Sequence, residues 1–192
     1  MSMPANHIQP ADRETLLKIA RQALSAAVRG EKLMPLDDDL IPPKLKVPGA
    51  SFVTLTKQGD LRGCIGSLEA KLPLAEDVRR HAVEAALEDF RFPPVQPEEL
   101  DEISIEISCL TPPVQLEYGD ADDLLKKIQP GVDGVIFQDG WHRATFLPQV
   151  WEKLPDPAEF FSHLCYKMGV SPNWWRIKKL DVQIYNVEEF HE

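Results

Sequence analysis

The stretch SFVTLTKQGDLRGCIG, residues 51–66, decides the fold, because it predicts two neighbouring strands joined by a tight turn. Ser51 to Thr56 and Leu61 to Ser67 are rich in β-branched and apolar residues, which is typical of strands. Between them lies Lys57-Gln58-Gly59-Asp60, where Gly59 can adopt a positive φ. We therefore predict a β-hairpin.

The second strand of this hairpin carries the candidate reactive group. Side chains alternate between the faces of a strand, so we expect Arg62 and Cys64 to project from one face, roughly 6 to 7 Å apart. A guanidinium beside a thiol favours the thiolate, which is the reactive form. The pattern predicts a candidate catalytic pair, Cys64 with Arg62.

Two glycines, Gly63 and Gly66, interrupt the same strand. Glycine weakens a strand unless something needs the space, which suggests a bulge or the close approach of a ligand or another backbone. The alternative is a purely structural one. In that interpretation Cys64 is packed, Arg62 pairs with a carboxylate, and the glycines accommodate a helix above the strand.

Periodicity and capping patterns predict the elements on either side of the hairpin. Ile103 to Cys109 alternates strictly between apolar and polar residues, as a strand with one buried face does. The other predicted elements are a helix capped by Asp12 and ending at Gly30, a helix from Pro73 to about Phe90, a short helix at Ala121 to Ile128, a hairpin of Val135 to Phe137 and Trp141 to Phe146 closed through Asp139-Gly140, a helix from Asp156 to Gly169, and a terminal strand at Asp181 to Phe190.

Composition excludes several classes of protein. No stretch approaches a membrane-spanning run, and residues 1–14 lack the pattern of a secretion signal, so we expect a cytoplasmic protein. The formal net charge of -10 has the wrong sign for a phosphate-binding surface, which makes nucleic acid an unlikely partner class. The three cysteines lie far apart without a C-x-x-C pair, so we expect no metal site.

The remaining candidate groups divide by their position in these patterns. Cys109 and Cys165 fall on apolar faces and are predicted to be small buried hydrophobic residues. His81 lies at the edge of an apolar helix face and His142 in the second hairpin, and nothing in the spacing places either near Cys64. The tryptophans could form a stacking surface, but covering a small core is the more usual role of such residues.

The run Leu61-Arg62-Gly63-Cys64-Ile65-Gly66 resembles the signature of the AMMECR domain family. Further segments resemble its bacterial and archaeal branch, called AmmeMemoRadiSam system protein A, and the resemblance covers the chain from Asp12 to Glu189. Phe90 departs from the pattern, because such proteins usually carry proline or a small residue there. The other matching segments are Ser67 to Ala70, Glu88-Asp89 with Arg91 to Pro94, Pro130 to Gly134, and Ala144 to Val150.

The resemblance implies a single α+β domain, residues 1–192, with two lobes. The larger lobe, about 1–117 plus 176–192, would hold an antiparallel sheet flanked by helices, and the smaller lobe, about 118–175, a short antiparallel sheet. A cleft would lie between them. The residues expected to line this binding cleft are Leu61, Gly63, Ile65, Gly66, Glu69, Arg91, Phe92 and Thr145.

Two classes of function follow, and the resemblance implies as partners a Memo-like protein and a radical S-adenosylmethionine enzyme. In the first, the protein is an accessory or catalytic component: Cys64 acts as a nucleophile or redox thiol, Arg62 anchors an anionic group, and Glu69 or a cleft histidine moves protons. In the second, it is a non-catalytic protein- or peptide-binding module, for example by strand addition. A role in RNA modification is a third, less favoured alternative. The sequence identifies no cofactor.

Overall fold

A computed structural model describes residues 8–192 of the chain. Residues 1–7 lie outside the described residues. They are half of the segment, 1–14, for which no secretion signal is predicted. The chain forms two compact units: the first extends to Thr111 and resumes at Glu188, and the second is Pro112–Val187. The predicted smaller lobe, 118–175, falls inside the second unit.

The elements follow one another along the chain as two mixed groups of helices and strands. They are α1 (Pro10–Val28), β1 (Pro48–Lys57), β2 (Asp60–Gly66), β3 (Leu72–Pro73), α2 (Leu74–Leu87), β4 (Ile103–Leu110), β5 (Val114–Gln115), α3 (Ala121–Lys127), β6 (Gly134–Asp139), β7 (His142–Phe146), α4 (Pro157–Lys167), α5 (Trp174–Ile177), β8 (Asp181–Tyr185) and β9 (Val187–His191). The fold is α+β, as predicted.

The first unit is built on a sheet with strand order β2-β1-β4-β9, and the short strand β3 pairs with the beginning of β1. Strands β1 and β2 form the predicted hairpin. Gln58 and Gly59 both have positive φ, 53° and 88°, which is the conformation of the tight turns that match strand twist. Because β2 pairs only with β1 in this sheet, it is an edge strand.

Helices α1 and α2 pack against each other, and α2 covers β1 and β2. The predicted buried face of β4 is confirmed, because Ile103, Ile105 and Ile107 are buried beneath the helices. The alternation ends at Ser108, which is on the other face and is also buried, at 5% exposure. Burying each such side chain contributes roughly 1.5–3 kcal/mol. The core of the first unit also contains Leu16, Leu24, Leu45, Val53, Leu55, Val78 and Ala82.

The second unit has its own sheet, with strand order β5-β8-β6-β7, and its own aromatic core. Trp151 stacks on Phe160 with ring centroids 3.6 Å apart, and Phe161 meets Trp175 edge to face. Helix α4 begins as predicted, because the Asp156 carboxylate accepts the backbone N–H of Glu159.

Four details of the predicted elements are wrong. Asp12 does not cap α1, which begins at Pro10; it lies in the first turn, where a carboxylate suits the helix dipole. Pro73 precedes α2 rather than opening it, and α2 ends at Leu87, before Phe90. The turn of the second hairpin is Gly140-Trp141, so Trp141 is not in a strand.

The predicted terminal strand, residues 181–190, is in fact two strands in different sheets. Strand β8 pairs with β6 in the second unit, and β9 lies beside β4 in the first. Ile184 is half-buried and the next residue, Tyr185, is buried. Adjacent residues of a strand point to opposite faces, so the pattern of one buried face ends at Tyr185. Asn186 separates the two strands and donates its side-chain amide to the carbonyl of Val132.

Within residues 8–192, none of the helices combines the length and the apolar character needed to cross a membrane.

Candidate functional site

Arg62 forms side-chain hydrogen bonds to two residues of the first unit, Glu99 and Pro93. Its Nε and Nη2 donate to the two carboxylate oxygens of Glu99 at 3.1 and 2.9 Å, and its Nη1 donates to the carbonyl of Pro93 at 2.8 Å. Glu99 also accepts the backbone N–H of Gln96 at 2.9 Å. The Arg62 hydrogen bonds, followed by that of Gln96, lower the pKa of Glu99 to about 2. Arg62 thus fastens a neighbouring loop instead of pointing towards a ligand.

A register shift in the hairpin explains why Arg62 and Cys64 make separate contacts. Leu55 pairs with Gly63 and Thr56 with Leu61, so Arg62 is the extra residue of a bulge. A bulge interrupts the two-residue alternation on which the predicted pair of Arg62 and Cys64 depends. The possibility of a bulge was noted from the glycines, but its position was not.

The backbone of Cys64 is capped at the free edge of the sheet. Its N–H donates to Asp89 Oδ2 at 2.9 Å, and its carbonyl accepts Arg91 Nη2 at 3.1 Å. Asp89 and Arg91 are themselves paired, which lowers the pKa of the Asp89 carboxyl well below its usual range, with the Arg91 hydrogen bond as the largest cause. Two side chains therefore occupy the hydrogen-bonding groups that a further strand would use.

The Cys64 thiol is half-buried and lies in a polar environment. The hydroxyl of Thr54, the cross-strand partner of Cys64, donates to Sγ at 3.3 Å. The guanidinium beside Cys64 is Arg91, whose pKa is raised chiefly by its hydrogen bond to Asp89 and to a smaller extent by Cys64. Arg91, not Arg62, is therefore the cation near the thiol.

The two other cysteines are buried, as predicted. Cys109 is 4% exposed and Cys165 is 0% exposed. Burial raises the pKa of both thiols, that of Cys109 to about 12. Because Cys109 and Cys165 are both buried, Cys64 is the accessible thiol among the three.

Glu106 extends the row of polar groups around Cys64 and was missed from the sequence. Thr54 pairs with Cys64 on one side and with Glu106 on the other, so a thiol, a hydroxyl and a carboxyl follow one another across three strands. Burial, and then the charge of Glu189, raise the pKa of Glu106. The sequence predicts that Glu106 lies on the polar face of β4. It does not predict the strand register that brings Glu106 beside Thr54.

Both glycines of the motif are needed for packing. A Cβ on Gly63 would collide with the backbone carbonyl oxygen of Ala85 in α2, and one on Gly66 would collide with the ring of Phe52. Gly63 therefore permits the close approach of a helix backbone, which is the structural interpretation considered from the sequence.

The other predicted cleft residues lie in varied surroundings. Leu61 is 45% exposed, whereas Ile65 packs against the core of the first unit. Glu69 is exposed and forms an ion pair with Lys71 at 2.7 Å. Phe92 lies 5.5 Å from the Arg91 guanidinium.

Thr145, the last residue of the predicted set, belongs to the second unit. It is buried on β7, and its hydroxyl lies 2.9 Å from the phenol oxygen of Tyr185.

The two histidines considered as general bases, His81 and His142, contact residues other than Cys64. His81 is buried; its Nδ1 lies 3.3 Å from an Asp77 oxygen and 3.5 Å from the Ser51 hydroxyl, which donates to Asp77 at 2.7 Å. Because Ser51 is fully buried and donates to the carboxylate, this trio is a core hydrogen-bond network and not a nucleophile with its base. His142 is in the second unit. No group of His, Cys, Asp and Glu side chains suited to a metal ion occurs among the described residues.

Together these features define an α+β protein of two units, with an accessible cysteine on a capped edge strand. The chain belongs to the AMMECR1 family, whose model matches residues 17–190. A protein of Methanothermobacter thermautotrophicus is 44% identical over 179 residues, covering 93% of each chain. One of Thermococcus gammatolerans is 39% identical over 189 residues, covering 93% of this chain and 89% of its own.

A solved structure shares the fold. The crystal structure titled "Uncharacterized Protein PH0010 From Pyrococcus horikoshii" superposes with a TM-score of 0.81 at 35% identity, covering 96% of this chain and 93% of that one.

Proposed function

We propose that the protein is a thiol-bearing accessory or catalytic component of an enzyme system, with Cys64 as its reactive group. The observation that carries this proposal is the hydrogen bond from Thr54 to Sγ of the half-buried Cys64. This hydroxyl donor holds the sulfur in place on the polar face of the sheet, and a cysteine sulfur is intrinsically a strong nucleophile. The Arg91 guanidinium lies beside the same residue, because its Nη2 donates to the Cys64 carbonyl at 3.1 Å.

The row Cys64, Thr54 and Glu106 suits addition of the thiol to an electrophilic carbonyl. The thiolate forms a carbon–sulfur bond, and the carbonyl π electrons move to oxygen. Glu106 accepts the proton that Cys64 loses and returns it to that oxygen, so the product is a neutral hemithioacetal and atoms and charge balance. Burial raises the pKa of Glu106, which makes it a stronger proton acceptor than an ordinary carboxylate. Glu106 replaces Glu69 as the proposed proton-transfer residue.

Alkylation of the native protein tests the reactivity of Cys64. Iodoacetamide, followed by intact-mass spectrometry, should add one group to the folded chain and three to the unfolded chain. Cys64→Ser should remove the native adduct. Thr54→Val removes the hydroxyl while keeping the branched shape, and should slow alkylation about five- to tenfold, which corresponds to one hydrogen bond of about 1–1.5 kcal/mol.

Thr56→Val is the matched control, because Thr56 lies one pleat further along β1 and is not the partner of Cys64. It should leave the rate unchanged. Equal rates in wild type, Thr54→Val and Thr56→Val, at the level of a free cysteine peptide, would reject an activated thiol.

The proposed partners are a Memo-like protein and a radical S-adenosylmethionine enzyme. This part rests on the resemblance of residues 61–66 and the other motifs to the family. Co-expression and co-purification from one genome test it. Cys64→Ser should preserve the assembly and abolish the activity of the complete system; full activity in that variant would favour a non-catalytic binding module.

The binding-module alternative is not supported in its strand-addition form. Asp89 and Arg91 already occupy the edge N–H and carbonyl of Cys64, so an added strand could not pair there. A test of partner binding needs a substitution in the motif that does not disturb the fold. Gly63→Val does not meet this condition, because any side chain at Gly63 would collide with α2. Leu61→Asp, at an exposed position, is the appropriate variant.

A further inference from the structure

The second unit contains a solvent-open cavity of about 510 Å³ beside the turn of the β6–β7 hairpin. This volume lies within the range of sites for small molecules, which is roughly 300–1,000 Å³. Its lining is mostly apolar and aromatic. The lining residues used below are Asp139, Trp141, His142, Val170 and Trp174.

The two indoles of the cavity differ from the other tryptophans of the chain. Trp151 and Trp175 are buried at 4% and 1% exposure and serve the core. Trp141 is 91% exposed at the hairpin turn. Trp174 is half-buried and is fixed by its Nε1–H, which donates to Asp139 Oδ2 at 2.9 Å. The cavity thus combines one anchored and one exposed aromatic side chain, and both offer faces or edges for contact with a flat ring.

The charge of the cavity is balanced before any ligand enters. Asp139 accepts two hydrogen bonds from the Lys178 ammonium, at 2.8 and 2.9 Å, and this contact lowers the pKa of the carboxyl. The carboxylate is therefore ionised and paired. A charged ligand would have to disrupt this pair or enter without a counter-charge, so an uncharged ligand fits best.

His142 supplies a hydrogen-bond acceptor of defined orientation. Its Nδ1 lies 3.2 Å from the carbonyl oxygen of Met168. A carbonyl can only accept, so Nδ1 carries the proton of this bond. In the neutral imidazole the other nitrogen, Nε2, then has a lone pair and accepts from a donor.

We propose that this cavity binds a neutral, planar heteroaromatic molecule that carries an amino or ring N–H donor. The ring contacts Trp141 and Trp174, Val170 supplies an apolar wall, and the donor bonds to Nε2 of His142. This site does not depend on Cys64, so the proposal stands or falls separately from the proposed thiol chemistry.

Adenosine is a suitable probe, because it is neutral and its adenine base is flat and carries an amino donor. In a ¹⁵N-labelled protein, the four tryptophan indole N–H signals serve as internal reporters and controls. Adenosine should shift the signals of Trp141 and Trp174 in a saturable manner and leave those of Trp151 and Trp175 unchanged. N6,N6-dimethyladenosine, which lacks the base donor, should bind at least fivefold more weakly.

Three variants sharpen the test. Trp141→Ala should weaken adenosine binding about tenfold or more, as loss of a base–aromatic contact does. His142→Asn keeps a donor for the Met168 carbonyl but removes the Nε2 acceptor, and should weaken adenosine about fivefold while leaving dimethyladenosine unaffected. Tyr166→Ala is the control, because Tyr166 is 74% exposed but does not line the cavity.

The absence of saturable shifts at millimolar adenosine, guanosine and indole would overturn the proposal. So would binding that Trp141→Ala leaves intact, or shifts produced only by aromatic or proline-rich peptides. Equal affinity for adenosine and its dimethyl derivative would overturn the role assigned to His142.

Discussion

Gly63 lies so close to the backbone of α2 that its lack of a side chain is a structural requirement. The nearest atom to an added Cβ would be the carbonyl oxygen of Ala85, which belongs to the helix backbone and cannot rotate away as a side chain could. The strand and the helix approach each other here through backbone atoms. The glycine of the motif thereby sets the separation of two layers of the first unit.

Gly63→Ala should lower the free energy of unfolding by about 2–3 kcal/mol, the cost typical of overpacking a core. Urea unfolding followed by far-UV circular dichroism measures the change. Gly119→Ala is the control, because a Cβ there would meet Asp123 Oδ2 at an ordinary 3.7 Å. A loss no larger than that of the control would show that α2 moves away freely.

At the residue scale, the sequence predicted burial better than it predicted partners. The apolar faces containing Cys109 and Cys165 identified both as buried, because periodicity reports on the face of a single element. The partners of Arg62 and of the Cys64 N–H lie 37 and 25 residues away along the chain. No local pattern encodes contacts of that separation, so Arg91 was not expected to be the cation beside the thiol.

At the scale of elements, the loop before β4 is fastened to the hairpin by an acid-sensitive ion pair. Glu99 is the third residue of the 3₁₀ turn Pro97–Glu102 and accepts hydrogen bonds from Arg62 and Gln96. Its pKa of about 2 in the folded chain lies below the ordinary value of 4.5. The stabilisation is therefore present above pH 4.5 and is lost as the pH falls from 4.5 towards 2.

Glu99→Gln should reduce both the stability at pH 7, by about 1–3 kcal/mol, and its dependence on pH below 4.5. Chemical unfolding at half-unit steps from pH 7 to pH 3 measures both quantities. Glu98→Gln, at an exposed neighbouring position, should retain the wild-type profile. Parallel profiles for Glu99→Gln and wild type would contradict the assigned role of the ion pair.

Elements were predictable where one local signal dominated. The alternation of Ile103 to Cys109 predicted β4, and the positive φ expected at Gly59 predicted the hairpin turn. The division of residues 181–190 between two sheets was not predictable, because strand-favouring residues, Tyr185 and Val187, stand on both sides of the single Asn186. Strand pairing, which decides the sheet to which each half belongs, is a tertiary property.

At the scale of the whole molecule, each unit has a separate buried core, and tryptophan reports on only one of them. Trp141, Trp151, Trp174 and Trp175 all fall within Pro112–Val187. Ile105→Ala in the first core and Leu164→Ala in the second remove side chains that are fully buried. Each should cost about 2–5 kcal/mol.

We expect the two substitutions to have different effects on tryptophan fluorescence during urea unfolding. Leu164→Ala should lower the fluorescence midpoint, whereas Ile105→Ala should leave it near wild type and shift only the part of the circular dichroism signal that arises from the first unit. Equal shifts of the fluorescence midpoint in both variants would show that the units unfold as one cooperative body.

The order in which the chain is synthesised gives β9 a particular importance. Strand β4 of the first sheet is flanked by β1 and β9, but β9 leaves the ribosome only after the whole second unit has been made. Until then, β4 is an edge strand of the nascent first unit, and its free backbone groups can pair with another chain. Completion of the last strand is thus the step that protects a newly made molecule from association with its neighbours.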